Sequence, residues 1–152
     1  MNITILACGK IKKGGDISPL LDHYKKQFKW SVTVKEISVS QSDPVSKQRE
    51  ENKALCELIV PGAYVIVLDE TGVDLTSRQF ADIFKQQQDV ATKHVHIIIG
   101  GADGLLPEVM SKASKVIRLG KLTWPHKMVR LMVFEQLYRA QSILDGHPYH
   151  RD

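Results

Sequence analysis

Residues 119–140 read Leu-Gly-Lys-Leu-Thr-Trp-Pro-His-Lys-Met-Val-Arg-Leu-Met-Val-Phe-Glu-Gln-Leu-Tyr-Arg-Ala, and this stretch predicts more of the fold than any other. The pattern indicates the end of a short strand, then a turn, then a long helix. Pro125 suits the first turn of that helix, because its missing N–H would have no partner there. The apolar residues of the helix cover more than one stripe, so more than one of its sides must be covered.

Two interpretations of this stretch are open on periodicity alone. In the first, it ends an ordinary α/β domain with a core helix, in which Glu135 and Arg139 form a favourable i,i+4 ion pair. In the second, the loop before the helix holds a ligand and the helix itself forms an interface. The remaining sequence is needed to choose between them.

The composition is that of an ordinary globular protein, with 43% apolar and 25% charged residues in a chain of 152. This length allows a sizeable core, so we expect residues 1–152 to form a single domain without disulfide bonds. Cys8 and Cys56 lie in separate apolar segments and are expected to be buried free thiols. The sequence predicts neither a membrane span nor a signal peptide, which indicates a cytoplasmic protein.

The positive charge is concentrated in the last third of the chain. Residues 1–108 contain 13 basic and 14 acidic residues, whereas residues 109–152 contain 8 basic and 3 acidic residues. A local excess of this kind attracts anionic partners, of which nucleic acid is the obvious candidate. A solvated basic face is the alternative that charge alone leaves open.

Five short apolar segments alternate with helical patterns along the chain. We predict strands at residues 3–8, 32–37, 63–68, 94–99 and 116–119. The alternation predicts an α/β fold with a mostly parallel five-stranded sheet and helices on both faces.

Three of the predicted helices begin with residue pairs that are typical of helix starts. They are Ser18-Pro19, Asp43-Pro44 and a capping box formed by Thr76 and Gln79. The first of these helices is expected to bury Leu20, Leu21, Tyr24 and Phe28. In the second helix, the charged run at residues 47–53 is typical of an exposed face.

Ligands of parallel α/β sheets bind outside the carboxyl ends of the strands. Loops that contain glycine follow three predicted strands, at residues 68–72, 100–104 and 119–124. Glycine lets the backbone approach a ligand closely, although an ordinary turn would explain any one of these loops. A fourth loop, residues 9–15 (Gly-Lys-Ile-Lys-Lys-Gly-Gly), is basic but lacks the ending of a P-loop. Because no Gly-x-Gly-x-x-Gly follows a strand either, we reject a nucleoside triphosphatase and an ordinary Rossmann site.

Four motifs follow one another from the glycine loop to the end of the chain. They are Ile99-Gly100-Gly101-x-x-Gly104, Lys121-Leu122-Thr123-x-Pro125-His126-x-x-x-Arg130, Glu135-Gln136-x-Tyr138-Arg139-Ala140 and Pro148-Tyr149-His150. Together they closely resemble the ribosomal-RNA large-subunit methyltransferase H family, which consists of small methyltransferases of the SPOUT class. The similarity extends over the whole chain.

The resemblance implies an enzyme that uses S-adenosylmethionine to methylate N3 of a pseudouridine in 23S ribosomal RNA, acting on assembled ribosomes. It also implies a homodimer. In the C-terminal part of the chain it implies a trefoil knot, a connection that the ordinary rules of chain topology would exclude. Carried over by position, the residues implied to bind the cofactor are Leu68, Gly100, Leu119, Gly120, Lys121, Leu122, Thr123 and Trp124. Trp124 departs from the family, in which a smaller apolar residue is common, so the role of its side chain is open.

Methyl transfer from a sulfonium needs no metal, and His147 with His150 alone does not indicate a zinc site. The proton on N3 must leave, and His126 and His150 titrate in a suitable range to accept it. Tyr149, His150 and Arg151 offer stacking, hydrogen bonding and phosphate contact, which are the usual interactions that hold an unstacked RNA base. By analogy with the family, this tail is expected to reach the active site of the partner subunit. Arg139 either pairs with Glu135 or helps to hold the tail and the RNA.

From this reasoning the catalytic candidates are His126, Arg139, Tyr149 and His150. The RNA-binding candidates are Arg130, Arg139, His147, Tyr149, His150 and Arg151. Two other functions are open. A non-enzymatic ribosome-binding factor would explain the basic third but would not need S-adenosylmethionine, and a SPOUT methyltransferase for transfer RNA or another ribosomal site would modify a different nucleotide.

Overall fold

A computed structural model describes residues 1–151 and contains one five-stranded sheet. The expected domain, residues 1–152, thus includes one residue, Asp152, that lies outside the described residues. The strands are β1 (Asn2–Cys8), β2 (Ser31–Ile37), β3 (Tyr64–Asp74), β4 (His94–Ile99) and β5 (Lys115–Arg118). Their spatial order is β2-β1-β4-β3-β5, and every neighbouring pair is parallel. The predicted parallel sheet is therefore confirmed.

Helices cover both faces of this sheet, as predicted. They are α1 (Ser18–Gln27), α2 (Pro44–Leu58), α3 (Ser77–Asp89), α4 (Pro107–Met110) and α5 (His126–Leu144). Successive side chains of a strand point to opposite faces. In β4, Ile97 and Ile99 pack in a core cluster with α1, α3 and α5, whereas Ile98 packs in a second cluster with α2 and α4. The trefoil knot stays a prediction.

Two of the three predicted helix starts are confirmed. The Asp43 carboxylate accepts a hydrogen bond from the backbone N–H of Ser46 (2.9 Å), and Thr76 forms both bonds of the capping box. The prediction for Ser18 was wrong. Ile17 already has helical dihedral angles and caps α1 without a side-chain bond, so Ser18 lies inside the helix. Leu20 was expected to be buried but is 49% exposed.

Strand β3 is longer than predicted. Ile117 of β5 pairs with Leu68 and again with Val73, so residues 69–72 bulge out of a strand that then resumes. Asp69 closes the bulge by accepting hydrogen bonds from the N–H and the hydroxyl of Thr71. The turn expected after Leu68 therefore exists, but it lies within a strand.

Helix α5 holds the connection between α1 and β2 through the buried side chain of Gln141. Its Oε1 accepts hydrogen bonds from the backbone N–H groups of Lys29 (2.7 Å) and Trp30 (3.2 Å). Pro125 caps this helix from the position just before its first residue, one place earlier than predicted. Among residues 1–151, no helix has the length and apolar character needed to span a bilayer.

Candidate cofactor pocket

Loops at the carboxyl side of β3, β4 and β5 face a common cavity with a volume of about 830 Å³. They are the bulge at residues 69–72, which follows the first part of β3 at Leu68, and the loops at residues 100–104 and 119–124. All eight positions expected to bind the cofactor line this cavity: Leu68, Gly100, Leu119, Gly120, Lys121, Leu122, Thr123 and Trp124. The structure thus brings these residues together, and their role in binding stays a prediction.

Helix α2 supports the glycine loop from behind through Asn52, which is only 3% exposed. The Oδ1 atom of Asn52 accepts a hydrogen bond from the backbone N–H of Leu106 (2.7 Å), and its Nδ2 donates to the carbonyl of Gly104 (3.3 Å). One turn earlier, Gln48 donates to the carbonyl of Asp103. The loop and the residues just after it are therefore held at three points by two side chains of one helix.

Glu51, on the same helix, is also 3% exposed and lies directly against Gly101. A Cβ atom at position 101 would overlap the carboxylate of Glu51, so any larger residue there would force this side chain to move. Burial raises the pKa of Glu51 above its ordinary value. The expectation that residues 47–53 form an exposed face was therefore wrong for Glu51 and Asn52.

The sequence did contain a signal for this support. Gln48, Glu51 and Asn52 lie seven, four and three residues before Leu55, which is fully buried. This spacing puts the three polar residues on the buried side of α2. The charged residues that surround them at positions 47–53 made the helix look exposed on all sides, so this spacing was overlooked.

The loop that follows β5 is held by a hydrogen bond between two of its own residues. The indole Nε1 of Trp124 donates to the carbonyl of Leu119 (2.9 Å), which gives the unusual tryptophan a structural role. Arg118 makes two hydrogen bonds to the carboxylate of Asp74, and these join the ends of β5 and β3. Leu122, in contrast, is 73% exposed at the edge of the cavity and is free to contact a ligand.

His126 is half-buried in the first turn of α5 and lines the cavity. Burial lowers its pKa below the ordinary value of 6.5, and the positive charges of Arg130, Lys127 and Lys47 lower it further. The imidazole is therefore neutral at pH 7 and can accept a proton. The backbone of Gly9 lies beside it, since a Cβ at that position would be 3.5 Å from Nε2.

Arg130 was expected to contact RNA, but its side chain is 2% exposed. Its guanidinium pairs with Glu36 and donates to the backbone carbonyl of Gly9 (2.8 Å). Because these contacts are inside the protein, the geometry contradicts a direct RNA contact. We assign Arg130 to joining the start of α5 to the ends of β1 and β2.

The C-terminal tail packs against α5 of its own chain and is not among the residues that line the pocket. Arg139 pairs with Glu135, as expected, and also bonds to Nδ1 of His150 (3.1 Å). The Tyr149 hydroxyl donates to Glu135 (3.1 Å), and the guanidinium of Arg139 lies 4.8 Å from the centre of the Tyr149 ring. The ion pair of Arg139 and its contact with the tail thus occur together, and its contact with RNA stays a prediction. His147 and Arg151 are exposed.

A second, mainly apolar cavity of about 630 Å³ adjoins the first. Leu68 and residues 118–120 line both cavities. The second is also lined by Leu20, Tyr24, Leu75, Phe80, Leu131 and Met132, with Glu135 and Gln136. Because the exposed Leu20 belongs to this wall, the apolar surface of α5 continues onto α1.

Both cysteines are free, as expected. Cys8 is buried, which raises the pKa of its thiol to about 12, whereas Cys56 is only half-buried. Within residues 1–151, no group of three or more histidine, cysteine, aspartate or glutamate side chains is arranged to hold a metal ion.

The parallel sheet and a pocket built from the β3 bulge and the loops after β4 and β5 agree with one class of protein. A family model described as "Predicted SPOUT methyltransferase" matches residues 1–150, and the chain belongs to this family of methyltransferases.

Within that class, the chain is similar to proteins named "Ribosomal RNA large subunit methyltransferase H". It is 39% identical over 160 residues to the protein from Rhodopseudomonas palustris and 40% identical over 159 residues to the one from Allorhizobium ampelinum. It is 38% identical over 161 residues to the one from Agrobacterium fabrum, and 99% of both chains is covered each time. The resemblance inferred from the four motifs is therefore confirmed.

Proposed function

We propose that this chain transfers the methyl group of S-adenosylmethionine to N3 of a pseudouridine in 23S ribosomal RNA, on assembled ribosomes in the cytoplasm. The observation that carries the proposal is the convergence of the β3 bulge and the loops after β4 and β5 on one cavity, which all eight expected cofactor residues line. The name shared by the relatives supports ribosomal RNA as the substrate.

The cavity is suitable for a cofactor of this size and chemistry. Its volume of about 830 Å³ lies in the range usual for small-molecule sites, ~300–1,000 Å³. Leu68, Leu122 and Trp124 offer apolar contact, while Gly100 and Gly120 let backbone groups approach closely. When bound, S-adenosylmethionine supplies a methyl group that is already electrophilic, so the protein has to orient N3 and remove its proton.

His126 is the proton acceptor in this proposal, either directly or through one water molecule. It lines the pocket, and its lowered pKa keeps it neutral at pH 7. His150 is less suited in the geometry of a single chain. Arginine can only donate a hydrogen bond, so Nδ1 of His150 must accept the bond from Arg139. A neutral His150 then carries its proton on Nε2 and has no free nitrogen to act as a base.

The protein acts as a homodimer in this proposal, and the tail of one subunit completes the pocket of the other. Within one chain, Arg139, Tyr149 and His150 lie outside the lining of the pocket. The apolar cavity beside it, with Leu20 exposed in its wall, provides a surface that a second copy can cover. The tail then supplies Tyr149 and His150 to hold the unstacked base, with His147 and Arg151 contacting the RNA backbone.

The test is transfer of labelled methyl from S-adenosylmethionine to ribosomes that lack this modification, with free 23S RNA in parallel. We expect label in the ribosomes and little in free RNA, mapped to N3 of one pseudouridine. Cofactor binding without label in either sample would keep the pocket but contradict the proposed substrate. Absence of cofactor binding by calorimetry would contradict the proposal altogether.

A further inference from the structure

The basic loop at residues 9–15, which follows β1, has no part in the function proposed so far. Lys10, Lys12 and Lys13 are all exposed, and none forms an ion pair with another residue in the range 1–151. The adjacent segment contributes one acidic residue, Asp16, so the loop has a net positive charge. Three uncompensated cations in four residues concentrate positive potential at one point of the surface.

The start of this loop is held firmly in place. The backbone N–H of Gly9 donates to the carbonyl of Ile37 (2.8 Å), and its carbonyl accepts a hydrogen bond from Arg130. The backbone N–H of Ile11 donates to Glu36 (3.0 Å). Because Glu36 also pairs with the buried Arg130, its charge is already neutralised and does not offset the lysines.

The same contacts place the loop next to the candidate active site. Gly9 lies beside His126, which lines the pocket. Lys47 and Lys127 are close enough to His126 for their charges to lower its pKa, after the larger effects of burial and Arg130. Lys47 and Lys127 therefore add positive charge near His126, on the side of the pocket where Gly9 begins the basic loop.

We propose that Lys10, Lys12 and Lys13 bind backbone phosphates of the substrate RNA next to the nucleotide that enters the pocket. This inference rests on the proposed function, because it takes the pocket to receive an RNA base. Lysine side chains are point donors without acceptors, and they suit phosphate oxygens better than base edges. The backbone around Gly14 is open, with no atom within 4 Å of a Cβ placed there, so a phosphate can approach the loop closely.

The test compares two variants that each lose three positive charges. One carries Lys10→Gln, Lys12→Gln and Lys13→Gln. The control carries Lys26→Gln, Lys85→Gln and Lys93→Gln, which are all exposed. Lys26 lies in the last turn of α1 and Lys93 precedes β4, so both belong to the amino-end edge of the sheet, opposite the pocket.

Binding to ribosomes lacking the modification is measured as a function of salt, together with KM, kcat and calorimetric affinity for S-adenosylmethionine. For the loop variant, we expect the slope of log affinity against log salt to fall by about 2 to 3. We also expect KM for ribosomes to rise, with cofactor affinity unchanged. The control should match the wild type.

Three results would overturn the inference. An unchanged slope, even with weaker binding, would mean that the loop makes no phosphate contact and meets, for example, a ribosomal protein. An equal loss of ribosome affinity in the loop variant and the control would mean that the change in net charge, and not the position of the lysines, causes the weaker binding. A wild type that binds S-adenosylmethionine but neither ribosomes nor 23S RNA would overturn the inference and the proposed substrate together, whereas the first two results leave the proposed substrate intact.

Discussion

The side-chain oxygen of Asn52 accepts a 2.7 Å hydrogen bond from the backbone N–H of Leu106, across the end of the glycine loop. The amide of the same side chain donates to the carbonyl of Gly104. Asn52 lies on α2, on the face of the sheet opposite α5, and does not line the pocket. A buried side chain on one face therefore sets the position of a loop that bounds a ligand site.

Replacing Asn52 by alanine should weaken cofactor binding without touching the cofactor. The substitution leaves the part-buried N–H of Leu106 without its partner, and about 1–3 kcal/mol is the upper range of the cost, for a fully buried group. We expect a lower free energy of unfolding in urea and a weaker calorimetric affinity for S-adenosylmethionine. Lys53→Ala, at the exposed neighbouring position, is the control and should change neither. Undiminished cofactor affinity in Asn52→Ala would show that the loop does not need this support.

Gly100→Val should reduce cofactor binding, because the added side chain would take up space in the pocket and displace a neighbouring side chain of its lining. A Cβ at position 100 would lie 2.9 Å from the side chain of Leu105, which also lines the cavity and would have to move. We expect at least a tenfold loss of affinity, equivalent to ~1.4 kcal/mol. The measurement is calorimetric titration of a variant whose circular dichroism shows a retained fold. Wild-type affinity would place the cofactor away from this loop.

The pH dependence of kcat should follow the protonation of His126, the proposed proton acceptor. Its pKa lies below 6.5, so the neutral base is present at pH 7 and is lost only as the pH falls through the lowered value. We expect kcat to be level from pH 8 to pH 6.5 and to decline below that. Lys127→Gln removes one of the charges that lower this pKa and should move the decline to higher pH, whereas Lys93→Gln should not. A decline centred above pH 6.5 would argue against His126 as the proton acceptor.

The stability of the fold should decrease in mild acid because of His96. This side chain is 2% exposed and its Nδ1 has no partner within residues 1–151. Burial lowers its pKa, with smaller effects of His94 and Lys35. Below the unfolded value of 6.5 the unfolded chain binds the additional proton, so stability is lost as the pH falls toward the folded pKa, with a limiting slope of about 1.4 kcal/mol per pH unit.

Urea unfolding between pH 5 and pH 7.5 measures this slope directly. His96→Val should be less stable than the wild type at neutral pH but should lose less stability on acidification. His23→Gln, at an exposed position on α1, should retain the wild-type slope. Parallel curves for the wild type and His96→Val would contradict the assignment.

Deleting residues 147–152 should abolish methyl transfer and leave cofactor affinity nearly unchanged. Tyr149 and His150 pack on α5 and are not part of the pocket lining. If the tail acts across a dimer, mixed dimers of the deletion variant and Gly100→Val contain one site with an intact pocket and a tail from the other subunit. Activity should then return on mixing under conditions of subunit exchange. Mixed dimers that stay inactive would assign the tail to its own subunit.

Local signals in the sequence predicted the main elements well. The continuous apolar run at residues 63–68 predicted a central parallel strand, since such strands are buried on both faces. It forms the first part of β3, which pairs in parallel with β4 on one side and β5 on the other. The capping box at Thr76 and the N-cap at Asp43 predicted helix starts, because these bonds form between residues three apart. The four ordered motifs also identified the family, and the positions carried over from it line one cavity.

The failures came from residues whose environment depends on distant parts of the chain. Arg130 was expected to contact RNA, but its guanidinium bonds to Glu36 and to the carbonyl of Gly9, which are more than 90 residues away in sequence. Glu51 looked like part of a solvated charge run, but the glycine loop after β4 covers it. Trp124 had no assignable role until the carbonyl of Leu119 was seen within hydrogen-bonding distance.

The sequence by itself determined the five strands, the parallel α/β class and the family, because periodicity, capping and motif order are properties of neighbouring residues. Only the tertiary structure decided which polar side chains are buried, that residues 69–72 are a bulge within β3, and that the basic loop after β1 lies beside His126. Those relationships depend on how strands distant in sequence are ordered in the sheet, since β1 pairs with β4 and β3 with β5. No local pattern encodes that order.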